Sequence, residues 1–167
     1  MLPSTLTALL HQTIALMKQL GTVLSIAFSD VETKTNLIDE NYQYWCECLS
    51  EDEIKLSDLI TEEKDSNVWE CNGSNNDNIN AIKNAKHEWK RTYKSSSRTI
   101  TRISWFINFL NEFFYLLHST DMSSADLSKQ AYNNHLADNH NFVVRAGANL
   151  ALNIVPTREA IAEAIGI

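Results

Sequence analysis

The chain has 167 residues, with 14 lysines and arginines against 21 aspartates and glutamates, and a formal net charge of -7. That length suits one domain with a sizeable core, and the acidic balance argues against a general nucleic-acid-binding surface, which needs a basic face. Only 4 glycines and 2 prolines interrupt apolar residues that fall mostly at spacings of three and four, which predicts an all-α fold.

In chain order, Ser4 is placed to cap a helix whose stripe is Leu6, Leu9, Leu10, Ile14, Met17 and Leu20. Gly21 marks a break or a close helix contact, and the helical pattern resumes through Val23, Leu24, Ala27, Val31 and Leu37. Residues 39–50, with Tyr42, Tyr44 and Trp45, read as a helix end and a connection. Ser50-Glu-Asp-Glu53 has the spacing of a capping box, so a short helix is expected to follow, burying Ile54, Leu56, Leu59 and Ile60. Residues 64–80 read as a loop, because Asn72-Gly73-Ser74-Asn75-Asn76-Asp77 is turn chemistry with little to bury. A polar, basic helix is expected over 79–93, and a central helix from about Ser97 to His118. Ser123 or Ser124 caps the next helix, which carries Ala131, Tyr132 and Leu136. A further helical segment is expected from Asn139 to Val155, stopped by Pro156, and a last short helix reaches Ile165 with Gly166 at its end. No internal repeat and no domain boundary is visible, so residues 1–167 read as a single domain.

The central helix is the most informative segment. Arg98, Arg102, Trp105, Phe106, Phe109 and Phe113 recur at helical spacing and share one face, which is expected to be buried. Two guanidiniums at the head of an apolar stripe need anionic company, because an unpaired buried charge costs several kcal/mol. Carboxylates of the chain would serve, and so would a ligand that is anionic at one end and apolar along its length. Asp30 and Lys34 lie one turn apart in an apolar segment. They read either as an exposed ion pair worth a few tenths of a kcal/mol or as a polar head site. His140 opens an apolar helical segment, where a satisfied core or capping histidine is the ordinary reading.

Nothing in the chain resembles a catalytic constellation: there is no G-x-S-x-G, no H-E-x-x-H and no phosphate-binding glycine loop. No enzyme activity and no cofactor is expected. Cys46, Cys48 and Cys71 read as free thiols of a reducing compartment, and Cys46-x-Cys48 with His87 is too closely spaced for a good zinc site. With no signal pattern and no apolar run long enough to span a bilayer, the chain is expected to be cytoplasmic.

Three motifs, in order, carry a resemblance. They are Leu20-Gly21-Thr-Val23 leading to Asp30-Val-Glu-Thr-Lys34; Arg98-Thr-Ile-Thr-Arg102 followed by Trp105 and Phe109-Leu110; and Ala131-Tyr132, then His140-Asn-Phe142-Val-Val-Arg145, ending in Val155-Pro-Thr-Arg-Glu159. Together they resemble the glycolipid transfer protein superfamily and, within it, the ceramide-1-phosphate transfer proteins. The resemblance implies a two-layer all-α sandwich that encloses a lipid sleeve. It implies that Asp30 accepts from the ceramide amide N–H and that His140 donates to the amide carbonyl. Lys34, Arg98 and Arg102 would hold the phosphate, and Phe106, Phe109 and Phe113 would line the sleeve. Glycolipid-specific relatives carry asparagine where this chain has Lys34 and tryptophan where it has Arg102, so both differences favour an anion over a sugar.

By the same resemblance, the partners are a sphingolipid and, transiently, a membrane surface. Phe142 stands where relatives have a membrane-docking tryptophan. The 64–80 segment looks like an insertion, and the C-terminus is expected to be short, leaving the sleeve shallower or its rim completed by another chain. A sensor or scaffold acting through a protein partner or homodimer, and a carrier of neutral glycosphingolipid, are the alternatives.

Overall fold

In the computed structural model of the chain, residues 2–17, 22–72 and 93–165 are described. Among them are seven α-helices: α1 (Pro3–Met17), α2 (Thr22–Leu49), α3 (Leu56–Asp65), α4 (Ser96–Ser119), α5 (Ser124–His135), α6 (Phe142–Leu152) and α7 (Arg158–Ile165). A 3₁₀ turn, Ala137–Asn139, joins α5 to α6. Gly21, residues 73–80 of the expected insertion, the expected basic helix up to residue 92, His87 and Gly166 lie outside the described residues.

The chain forms two compact units, one of residues 1–12 and 32–102, the other of residues 13–31 and 103–167. The first has a core of Trp45, Ile54, Leu59, Val68 and Cys71, flanked by Tyr42, Tyr44 and Tyr93. Helix α2 is longer than its sequence suggests. The stretch 39–50, expected as an end and a connection, is helical through Leu49. Its aromatics are modest helix formers, but Trp45 is only 1% exposed and donates from Nε1 to the Tyr93 hydroxyl at 3.1 Å, so packing overrides propensity. The helix stops at Ser50, which takes a left-handed φ of 57°.

The capping box expected at Ser50 does not form. Helix α3 begins at Leu56, where the Lys55 N–H donates to Asp58 Oδ2 at 3.1 Å, so the acidic group three residues into the real helix supplies the cap. Ile54 is buried ahead of the helix. At its other end, Asn67 adopts a φ of 56° while its N–H reaches the Lys64 carbonyl, and the Val68 N–H reaches that of Glu63. This is the paired bonding of a left-handed helix stop, and it drives Val68 into the core. Helix α1 starts two residues earlier than a Ser4 cap implies, at Pro3, whose fixed φ suits a first helical position, so Ser4 lies inside the helix.

The second unit has a core of Ile14, Val31, Phe109, Phe113, Leu127, Ala131, Tyr132, Ala137, Leu152, Val155 and Ile161. Helix α5 starts where serine capping predicts: Ser123 Oγ accepts from the Asp126 N–H. The expected 139–155 segment is shorter as an α-helix. Asn141 accepts from the Val144 N–H at 3.0 Å and caps α6, which ends at Leu152. Arg158, at the start of α7, donates to the carbonyls of Thr120 at 2.5 Å and Met122 at 3.3 Å, tying this helix to the chain that leaves α4.

Candidate functional site

Helix α4 matches its expected span to within a residue at each end, and the structure shows what holds its start. Ser95 caps it, its Oγ accepting from the Arg98 N–H at 3.1 Å. The decisive group comes from α3. Glu63, fully buried, accepts from the Ser96 N–H at 2.5 Å, the Ser97 N–H at 2.8 Å, the Ser97 hydroxyl at 2.6 Å and the Tyr93 hydroxyl at 2.6 Å. A carboxylate at the first free amides of a helix meets both their hydrogen-bonding need and the positive end of the helix dipole. Asn41 of α2 adds a second anchor, donating to Ser96 Oγ at 2.9 Å and to the Lys94 carbonyl at 2.8 Å. Burial and the neighbouring Glu63 carboxylate push the Tyr93 hydroxyl far above the usual tyrosine range. It therefore stays a donor.

Arg98 and Arg102 follow in the first two turns of this clamped helix. The Arg98 side chain is half-buried, and its Nε is buried with no hydrogen-bond partner among the described residues. Arg102 is exposed. The stripe is therefore graded and not buried throughout as expected: Trp105 and Phe106 are half-buried, and full burial begins at Phe109 and Phe113. These last rings stack, with centroids 6.2 Å apart and planes at 14°, and Phe106 leans on Phe109 at 5.8 Å. Lys34, half-buried on α2, belongs with Arg98 and Arg102 to the first unit.

Asp30 and His140 belong to the second unit. Asp30 is exposed one helical turn before Lys34. His140 is half-buried at the end of the 3₁₀ turn, and its Nδ1 lies 2.9 Å from the Tyr132 hydroxyl. Its carbonyl accepts from Arg145 Nε at 2.9 Å. Phe142, at the first residue of α6, is 83% exposed, and Val143, Leu150 and Ile154 are exposed as well.

Sequence reasoning missed Glu63, Tyr93 and Asn41. Glu63 sits four residues after Leu59 and so on the buried face of α3, which was the available signal, but an acidic pair at Glu62-Glu63 ordinarily reads as a solvated surface. The run Ser95-Ser96-Ser97 signalled a helix start without showing which carboxylate would meet it. Among the described residues no cluster of metal-ligating side chains occurs, and no helix is long and apolar enough to cross a membrane.

Solved structures share the fold of this chain. The structure of mouse ceramide-1-phosphate transfer protein without ligand superposes with a TM-score of 0.73 and 21% identity, over 100% of this chain and 73% of that one. Human ceramide-1-phosphate transfer protein in complex with 12:0 ceramide-1-phosphate gives 0.74 and 22%, over 99% and 72%. A variant of Arabidopsis accelerated-cell-death 11, complexed with C12 ceramide-1-phosphate, gives 0.68 and 12%, over 99% and 70%. No curated protein matches by sequence. The sequence model of the family described as "Glycolipid transfer protein (GLTP)" matches residues 4–166. The chain has the all-helical fold of these structures and belongs to the glycolipid transfer protein family.

Proposed function

We propose that this protein binds ceramide-1-phosphate, or a closely related phosphate-bearing sphingolipid, and carries it between membranes without making or breaking a covalent bond. The observation that carries the reading is the buried Arg98 Nε in the first turn of α4, which has no partner among the described residues and lies ahead of the aromatic ladder Phe106, Phe109 and Phe113. A buried donor without an acceptor costs about 1–3 kcal/mol, and a phosphate oxygen is the acceptor that removes that cost most completely. Arg102, one turn on, and Lys34 supply the remaining charge. Asp30 accepts from the amide N–H of the ceramide, and His140 donates to the amide carbonyl.

The hydrocarbon chains enter among the apolar side chains of the second unit's core. Each methylene removed from water contributes about 0.8 kcal/mol, so a dry lining is the main source of affinity and the phosphate contacts are the main source of selectivity. Phe142, with its exposed neighbour Val143, meets the membrane surface from which the lipid is taken. The contact is peripheral and transient, because two apolar side chains bury too little to anchor a protein permanently. Such a carrier works from the cytoplasm.

The test is transfer of fluorescently labelled ceramide-1-phosphate between phosphatidylcholine vesicles. Wild-type protein accelerates transfer, and Arg102→Ala, which removes an exposed side chain and leaves the fold intact, slows it at least tenfold. Equal rates for the two folded proteins would sink the phosphate assignment.

A further inference from the structure

The amides that open α4 all reach acceptors supplied by the chain itself. The Ser95 N–H donates to the Cys71 carbonyl at 2.9 Å. The Ser96 and Ser97 N–H groups donate to the two oxygens of Glu63, at 2.5 and 2.8 Å. The Arg98 N–H donates to Ser95 Oγ at 3.1 Å, and that hydroxyl donates in turn to the Trp69 carbonyl. The Thr99 N–H, bonded to the Ser95 carbonyl at 3.1 Å, begins the helix's own ladder. A helix start ordinarily leaves its first amides open, and open amides at the positive end of the dipole draw an anion. Here Glu63 is that anion.

Glu63 stands where a carboxylate is otherwise costly. It is fully buried, and it lies in the last turn of α3, whose own dipole disfavours negative charge. Four donors offset this. Besides the two amides, the Ser97 hydroxyl reaches Oε2 and the Tyr93 hydroxyl reaches Oε1, each at 2.6 Å. Each oxygen therefore accepts twice, which uses the acceptor capacity of a carboxylate. From α2, Trp45 Nε1 donates to the Tyr93 hydroxyl and Asn41 donates to Ser96 Oγ, so the donors are held as well. Arg98 is the next residue after the two held amides, and Arg102 lies one turn further on, where the helix's own bonds fix the backbone. Loss of the Glu63 bonds therefore frees the backbone under Arg98 before that under Arg102.

We infer that Glu63 is a positioning residue for the phosphate site. It fixes the turn that carries Arg98, and it fills the anion position of α4 with the chain's own carboxylate, so the phosphate is left to the guanidinium side chains. The inference rests on the ceramide-1-phosphate reading above.

Two measurements test it. In the lipid-free wild type, hydrogen exchange read by ¹H–¹⁵N spectra is expected to show the Ser96 and Ser97 amides protected as strongly as those inside α4. Adding a short-chain ceramide-1-phosphate is expected to move the Arg98 Nε–H signal and to leave these two amides in place. These spectra need only the wild type, so they decide even if Glu63→Gln is too unstable to assay. In the binding assay, Glu63→Gln, which keeps one accepting oxygen and turns the other into a donor, is expected to weaken ceramide-1-phosphate binding roughly tenfold. Added to Arg98→Met it is expected to cost about twofold or less, and added to Arg102→Ala its full factor again, because only Arg98 acts through the Glu63 turn. A general effect on the fold would lower all three backgrounds alike. Equal losses in the three backgrounds, fast exchange of the two amides, or amide signals that follow the lipid would overturn the role of Glu63 and leave the carrier reading standing. Failure of the wild type to bind any sphingolipid overturns the carrier reading and, with it, the site that Glu63 serves.

Discussion

At the scale of single residues, Arg98 carries a buried Nε on a backbone that is itself held. Its Nε has no acceptor among the described residues, yet its backbone N–H is used by the Ser95 cap. Arg98→Met keeps much of the aliphatic stem and removes the unsatisfied donor. We expect its stability in urea to equal or exceed that of the wild type by up to about 1 kcal/mol, while ceramide-1-phosphate binding falls ten- to hundredfold. Loss of both stability and binding would mean that Arg98 serves the fold. Tyr93 makes a different prediction. Its folded pKa lies above the unfolded value, so the neutral phenol favours the folded state. That stability is fully present below the unfolded tyrosine value of about 10 and is lost as pH rises beyond it. Denaturant midpoints measured at about pH 8 and about pH 11 are expected to fall for the wild type and to fall less for Tyr93→Phe. The raised pKa values of Tyr42, Tyr44 and Tyr132 act in the same direction and account for what remains. Identical pH dependence in the two proteins would contradict the account of Tyr93.

At the scale of elements, the clamp on the start of α4 connects fold to site. Glu63, in the last turn of α3, holds the first amides of α4 and thereby sets the position of Arg98 and Arg102 in the first two turns. Glu63→Ala leaves two helix amides and two hydroxyls to find other partners. We expect a loss on the order of 3 kcal/mol, read as a fall of roughly 10 °C in Tm. A Tm within a degree or two of wild type would show that the serines cap the helix unaided. This element also shows how far the sequence can be read. The apolar period of α4 and the Ser123 cap of α5 were legible because both are local. The start of α3 and the extension of α2 to Leu49 were not. Lys55 and Asp58 cap α3 in place of the more orthodox Ser50, and Trp45 stabilises its helix through Tyr93, 48 residues away. The same limit applies to His140, whose type and place were legible but whose bond to Tyr132 depends on the turn at Ala137–Asn139.

At the scale of the whole molecule, charge and greasiness are separated along the chain's own helices. Helix α4 carries its cations in the first two turns and its buried phenylalanines beyond them. Helix α2 carries Asp30 and Lys34 one turn apart, with Val31 in the second unit's core beside them. A lipid with an anionic head, an amide and long chains has the same sequence of chemistries. Family membership was legible from three short motifs because each falls at a point where polar residues interrupt an apolar pattern. In the proposed function, head-group preference rests on Lys34, Arg98 and Arg102, because cations pair more strongly with a phosphate than with a neutral sugar. Competition of ceramide-1-phosphate against galactosylceramide for the wild-type protein, at physiological salt, tests this most directly. The account predicts that the phosphate lipid displaces the neutral one at equal concentration. Preferential retention of galactosylceramide would contradict it.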